Sequence, residues 1–259
     1  MIEINKIYNE DCLEGMKRIP DNSVDIVLCD LPYGTTKLKW DSIIPMEPLF
    51  KEYNRVLKKN GVIVQFGVEP FTSSLIQHNL DIFREKLTWE KHKPSNFAAA
   101  KYVHMKYSED IVVFAERVPT YNPQMQPRES KRIAQAIKNN YIIKQTKQGN
   151  DSASLRTTSS KPIPASKYDP DFKYPSNIIK MPAVAGNAKE KVAHPTQKPV
   201  KLFEYLIKTY SNEGDTVLDN CMGSGTTAIA CMNTNRNFIG FELDSDYYKI
   251  ILERIERNK

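Results

Sequence analysis

Over residues 1–116 short apolar runs alternate with segments of helical spacing. SVDIVLCD (23–30) is apolar almost throughout and stops at a proline-containing turn, the pattern of a strand buried on both faces of a parallel sheet. GVIVQFG (61–67) and DIVVFAE (110–116) have the same texture, and EKLTWEK (85–91) is a weaker, alternating strand. PMEPLFKEYNRVLKKNG (45–61) is spaced as a helix with Leu49, Tyr53, Val56 and Leu57 on one face and Gly61 as its C-cap. Strand, helix and strand at this spacing predict βαβ units.

From about 117 to 190 the texture changes. KQGNDSASLRTTSSKPIPASKYDP (147–170) has too little apolar content for a core of its own. Order returns near His194. KPVKLFEYLIKTYS (198–211) predicts an amphipathic helix with Pro199 in its first turn, and DTVLDNC (215–221) a strand. GSGTTAIACMNT (223–234) is a glycine turn opening a helix, and RNFIGFELD (236–244) a further strand. SDYYKIILERIERNK (245–259) is a closing helix capped by Ser245 or Asp244. The expected architecture is α/β: a Rossmann-like, doubly wound, mostly parallel sheet in two pieces, 1–116 and 191–259, bracketing a polar insert, 117–190.

Charge sharpens the view of the insert. Arg117–Lys180 holds 12 Lys and Arg against 4 Asp and Glu, whereas the rest of the 259-residue chain is close to neutral. A neutral body with one basic segment predicts a polyanionic partner at that segment. No apolar run approaches the ~18 residues of a membrane span. The N-terminus, MIEINKIYNEDC, is acidic where a signal peptide is basic and then apolar. Cys12, Cys29, Cys221 and Cys231 lack CxxC spacing and read as reduced thiols of a cytoplasmic protein. The four histidines are too dispersed for a metal cluster, and no metal is expected.

Two stretches carry chemistry. In VLDNCMGSGTTAIA, Gly223 and Gly225 occupy the strand-to-helix turn where backbone can approach a ligand. Glu242, ending the next strand, can accept hydrogen bonds from both hydroxyls of a ribose, and Asp219 can hold an ammonium or a backbone amide. No P-loop lysine follows, which disfavours ATP hydrolysis. In DLPYGTT (30–36) an acid, a proline and an aromatic leave a strand together.

Together these stretches resemble the S-adenosylmethionine-dependent amino-methyltransferases of DNA. DLPY matches the catalytic (D/N/S)-P-P-(Y/F/W) motif of that family and DNCMGSGTT its cofactor motif D-x-F-x-G-x-G-T. NEDCLEGMKRIPDNSVDIVLCDLPYG and HPTQKPVKLFEYLIKTYSNEGDTVLDNCMGSGTT also look like it, over 1–116 and 190–259. The catalytic half precedes the cofactor half, as in the circularly permuted β group, and the insert then corresponds to the target-recognition region. Leu31 replaces the first proline, keeping the backbone carbonyl and losing only the preset φ. Cys221 replaces an aromatic, whose contact Met222 could supply.

The resemblance implies N6 methylation of a flipped adenine in double-stranded DNA, with S-adenosyl-L-methionine as cofactor. An exocyclic amine is a poor nucleophile because its lone pair is delocalised into the ring. Asp30 and the Leu31 carbonyl would accept its two N–H groups, Pro32 would hold both acceptors in place, and Tyr33 would offer a stacking face. Asp11, at the end of the first strand, would contact the cofactor adenine's amino group, with a cap for the helix beginning near Leu13 as its alternative role. Lys198 would lie near the cofactor's methionine end, with Asp219, Gly223, Gly225, Thr226 and Glu242 completing that site. Trp89 could line the base pocket, but a buried tryptophan is more often core, and it reads as core. Arg128, Lys131, Arg132, Lys138, Lys144 and Arg156 are the candidate phosphate contacts of the insert.

Cytosine-N4 methylation is the runner-up, since it uses the same acceptors. C5 methylation is disfavoured because no cysteine follows a proline. Asp30 argues against a glutamine-directed enzyme, which typically carries asparagine there. A non-catalytic nucleic-acid-binding partner is opposed by the intact Asp30, Pro32, Tyr33, Gly223, Gly225 and Glu242. A homodimer and a cognate restriction endonuclease are both compatible with the resemblance.

Overall fold

The computed structural model describes residues 2–34, 41–128, 135, 169 and 171–258. They fall into two compact units, one of Met1–Asn122 with Asn177–Lys259 and one of Pro123–Ser176. The second unit is narrower at both ends than the 117–190 expected for the insert, because residues 117–122 and 177–190 belong to the first.

In the first unit, β1 (Lys6–Tyr8), β2 (Val24–Cys29), β3 (Leu57–Gly67), β4 (Phe83–Ser95), β5 (Lys106–Phe114), β8 (Ile178–Lys180), β9 (Thr216–Asp219) and β10 (Asn237–Phe241) form one sheet. Its order is β1-β10-β9-β2-β3-β5-β4-β8. The five strands from β1 to β3 are mutually parallel. β5 runs antiparallel to both β3 and β4, which corrects the parallel strand expected for DIVVFAE. The link from β4 to β5 is too short for a crossover and returns the chain as a hairpin.

Alternation along the central strands splits the core between the two sheet faces. Ile26, Leu28, Val62, Val64, Phe66 and Val217 pack with α4 (Val200–Tyr210) and α5 (Thr226–Asn233), joined by Ile251 of α6 (Ser245–Arg257). Val27, Cys29, Ile63 and Leu218 pack on the other face with α1 (Cys12–Met16), α2 (Met46–Val56) and α3 (Phe71–His78). Each fully buried aliphatic or aromatic side chain contributes about 1.5–3 kcal/mol. Helices on both faces of a mostly parallel sheet make this the doubly wound fold expected.

Local differences have local causes. α2 ends when Leu57 turns extended (ψ 138°), so Gly61 is no C-cap. Leu57 pairs with Val24 and Val62 with Ile26, and the intervening bulge brings Gly61 so close to Lys58 that an added Cβ would lie 2.9 Å from that carbonyl oxygen. Pro199 sits just before α4 rather than in its first turn. Asp244, not Ser245, caps α6 by accepting from the Asp246 and Tyr247 amides.

The second unit contains β6 (Gln126–Pro127) paired antiparallel with β7 (Phe172–Lys173). Arg128 is half-buried there, its amide donating to the Asp171 carbonyl at 2.8 Å. Lys131, Arg132, Lys138, Lys144 and Arg156 lie outside the described residues.

Candidate active site

β2 and β9, far apart in sequence, are neighbours, with Val27 opposite Leu218. The residues that leave their C-terminal ends, Asp30 and Asp219, therefore meet at the centre of the sheet, where open α/β sheets place their ligands. A cavity of about 1230 Å³ opens there, lined by Asp11, Asp30, Leu31, Pro32, Tyr33, Lys198, Asp219, Gly223, Thr226 and Glu242 among others.

Its glycine side is built by backbone geometry. Gly223 and Gly225 both have positive φ, +51° and +75°. A Cβ on Gly223 would lie 3.1 Å from His194 Nε2, and one on Gly225 2.7 Å from Ile251 Cγ2, so a larger residue would be strained and crowded at either position. The Gly223 amide donates to Glu242 Oε2 at 2.7 Å, and the Asp244 amide to Oε1 at 2.9 Å. Each oxygen keeps lone-pair capacity, so an oriented acidic acceptor sits beside the partly exposed backbone of Gly223, while Gly225 is buried against Ile251 and does not line the cavity. Burial pushes the Glu242 carboxyl upward against these donors.

Asp219 takes the amide of the two partners expected for it. It accepts from the Cys221 amide at 3.0 Å and from the Thr227 hydroxyl. Burial, reinforced by Asp30 and Glu242, raises it to about 7. A buried polar network braces the neighbouring residue. The Tyr53 hydroxyl donates to Asn220 Oδ1 at 2.6 Å and accepts from Gln65 Nε2 at 3.3 Å. Met222 packs beneath Gly240 in the core and also lines the cavity, while Cys221 is partly buried.

Asp11 lies three residues beyond β1 rather than at its end. Its Oδ1 accepts from the Leu13 and Glu14 amides at 2.9 and 3.2 Å, so the helix-cap role holds while the residue also lines the cavity. Thr226 is tied into the frame: its hydroxyl donates to the Lys198 carbonyl at 3.1 Å and accepts from Arg254 Nη1 at 3.2 Å.

On the catalytic side, Asp30 is held at both oxygens. The Tyr33 hydroxyl donates to Oδ1 and the Lys198 ammonium to Oδ2. Lys198 also lies 3.3 Å from Glu109 Oε2, and Lys91 donates to Glu109 Oε1 at 2.9 Å. Two carboxylates and two ammoniums thus form a largely buried, neutral quartet. Burial pushes Asp30 up, opposed by Lys198 and aided by Glu109. Burial alone would lower Lys198, but Asp30 and Glu109 outweigh it, and it stays charged. Glu109 is lowered, because Lys198 and Lys91 overcome its desolvation. The Tyr33 ring packs on Phe71, with centroids 5.1 Å apart. Leu31 is buried in the core beside it.

HPTQKP acquires a structural logic. Gln197 exchanges hydrogen bonds with the Val192 amide and the Glu190 carbonyl, at 2.9 and 2.7 Å. Glu190 accepts from the Val200 amide at the start of α4 (3.0 Å), which fixes the segment that delivers Lys198. His194 packs against Tyr247, and burial lowers it to about 4. Trp89 is core, as expected, its Nε1 donating to the Met181 carbonyl at 2.8 Å, and one edge reaches the cavity. Glu109 and Lys91 carry no signal in the sequence, since a polar residue entering a strand bears no local sign of what it will face.

Comparison with known proteins shows which family the chain resembles. A family described as DNA methylase matches residues 24–253. The DNA adenine methyltransferase YhdJ of Escherichia coli K12 is 29% identical over 266 residues, spanning 98% of this chain and 83% of that protein. The Type II methyltransferase M.BglII of Bacillus subtilis is 30% identical, spanning 95% of this chain and 68% of that one. The crystal structure of an M1.HpyAVI–SAM complex superposes with a TM-score of 0.60 at 25% identity, covering 96% of this chain and 98% of the other.

Proposed function

The chain belongs to the DNA methylase family, and from that premise we propose that it methylates the N6 amino group of an adenine unstacked from duplex DNA, in the cytoplasm, through Asp30, Leu31, Pro32 and Tyr33. The observation that carries the reading is that the Asp30 carboxylate and the Gly223–Glu242 cradle open on one cavity. The name DNA adenine methyltransferase borne by YhdJ supports adenine over cytosine.

The cradle fits S-adenosylmethionine: the Gly223 backbone at the cavity wall and an oriented carboxylate suit an adenosine ribose, and Asp11 lines the same cavity. When bound, that cofactor supplies a methyl group on a positively charged sulfur. Asp30 accepts one amino N–H of the base and the Leu31 carbonyl the other, which draws the lone pair out of the ring. As the nitrogen gains the methyl group and positive charge, the Asp30 carboxylate stabilises it. The nitrogen then sheds a proton, for which Asp30, raised by burial, is a competent acceptor. Pro32 stiffens the two acceptors, and Tyr33 supplies the face for the base.

For DNA, the hairpin between β4 and β5 adds to the proposed insert contacts. Lys93, Lys101 and Lys106 are exposed there beside the exposed rings of Phe97 and Tyr102, and no acid occurs from Lys91 to Ser108. Lys93 and Lys106 also line the cavity. The 117–190 segment is proposed as the target-recognition region. Digestion of treated DNA to nucleosides followed by mass spectrometry tests the reading. N6-methyladenine is expected, and N4-methylcytosine as the sole product would overturn the choice of base.

A further inference from the structure

The quartet raises a problem that the family reaction does not explain. Asp30 must serve an amino group that becomes cationic, yet one of its oxygens already holds an ammonium. Two positive charges on one buried carboxylate repel each other, and the repulsion grows as the methyl group arrives. Lys198 cannot retreat to solvent, because its side chain is only 8% exposed and its carbonyl is pinned by Thr226.

Glu109 offers a place for it. Its Oε2 is buried and already lies 3.3 Å from Lys198 Nζ, an ion pair that falls short of a well-aligned hydrogen bond. A buried carboxylate oxygen whose donor is poorly aligned gains from a closer one, so a small shift of Nζ toward Oε2 is favoured. Lys91, 5% exposed and bonded to Oε1, holds the carboxylate in that orientation, and Lys198 together with Lys91 keeps it ionised. The Phe66 and Tyr33 rings lie 5.2 and 6.0 Å from Nζ, and ring faces tolerate a cation that moves by a fraction of an ångström.

We propose that Glu109 is a positioning residue that takes up the Lys198 ammonium when Asp30 engages the substrate amino group. The inference rests on the role given to Asp30 above. Glu109 lines the same cavity, and the role assigned to it is exercised through Lys198. With the ammonium drawn to Glu109 Oε2, the charge of Asp30 is left to the nitrogen being methylated. When product leaves, Lys198 returns to Asp30 and the quartet is restored.

The test is a double-mutant cycle on the full chain under single-turnover conditions with excess enzyme and cofactor, read by transfer of labelled methyl to DNA. Glu109→Gln keeps the size and removes the charge. It is expected to lower the methyl-transfer rate by about tenfold or more while leaving cofactor and DNA affinity within about twofold. In a Lys198→Met background the same change is expected to alter the rate by less than about twofold, because its target is gone.

The acid limb of the pH–rate profile supplies a readout that a purely structural defect would not move. Asp30 faces Lys198, Glu109, Tyr33, Cys29 and Asp219. Removing the negative charge of Glu109 should shift that limb to lower pH. Glu109→Asp, which retains the charge, is expected to recover most of the rate, and serves where the glutamine variant folds poorly. Equal losses with and without Lys198, an unmoved acid limb, or an aspartate variant as slow as the glutamine one would overturn the proposal. An unmutated protein that transfers no methyl to DNA would instead refute the reading on which it rests.

Discussion

Glu242→Gln separates a cofactor-binding carboxylate from a merely structural one. Glu242 is 8% exposed and receives the Gly223 and Asp244 amides, one on each oxygen. A glutamine has the same shape but a single acceptor oxygen, so in either orientation one buried amide faces an NH2 group. That mismatch should cost about 1–3 kcal/mol of folding stability. The larger effect falls on binding. A hydrogen bond from a ribose hydroxyl to a carboxylate is worth about 1.5–3 kcal/mol, against about 0.5–1.5 to a neutral acceptor. With two hydroxyls affected, the loss is about 2–3 kcal/mol, or a Kd raised about 30- to 150-fold. Titration calorimetry with S-adenosylmethionine on the folded variant measures it, with thermal unfolding as the control. A folded variant whose Kd stays within about threefold of the parent would refute the assignment of Glu242.

Other outcomes follow from neighbouring features. Replacing Lys93, Lys101 and Lys106 by alanine should flatten the log–log salt dependence of DNA affinity by about 0.9 for each phosphate no longer neutralised, as followed by fluorescence anisotropy; an unchanged slope would remove the hairpin from the DNA interface. His194 is lowered to about 4 from 6.5, so between those values the unfolded chain holds a proton that the folded chain lacks. Its stabilising contribution is complete above pH 6.5 and disappears as pH falls through 4, adding a slope of up to about 1.4 kcal/mol per pH unit. Denaturant titrations across that range should lose this slope in His194→Gln, and equal slopes in the two proteins would contradict the account.

Much of the fold was legible because the sheet centre is written in short apolar runs. SVDIVLCD and DTVLDNC could be read as strands and, with their terminal acids, as the two sides of a site. Features that depend on partners distant in sequence were less legible. Nothing local distinguishes a parallel strand from the antiparallel β5, since both are buried on two faces. Gly61 looks like a helix end because a bulge and a C-cap both favour glycine. Asp11 could be read as a cap or a cofactor contact, and the fold places it where it caps a helix and faces the cavity at once. Lys198 stood out only through HPTQKP, as a residue near the cofactor. That it grips Asp30 is a property of the sheet order, which brings together residues 168 positions apart in the chain. Glu109 had no signal at all, because its meaning comes from Lys91 and Lys198.

The central claim is that Asp30 activates the amino group by accepting from it. The most direct measurement is the single-turnover rate of methyl transfer by Asp30→Ala, with cofactor and DNA affinity determined alongside. The account predicts a loss of about a hundredfold or more with both affinities largely kept, as for removal of a group that acts in the transition state. A variant that binds both ligands and still transfers methyl groups within a few-fold of the parent rate would contradict it.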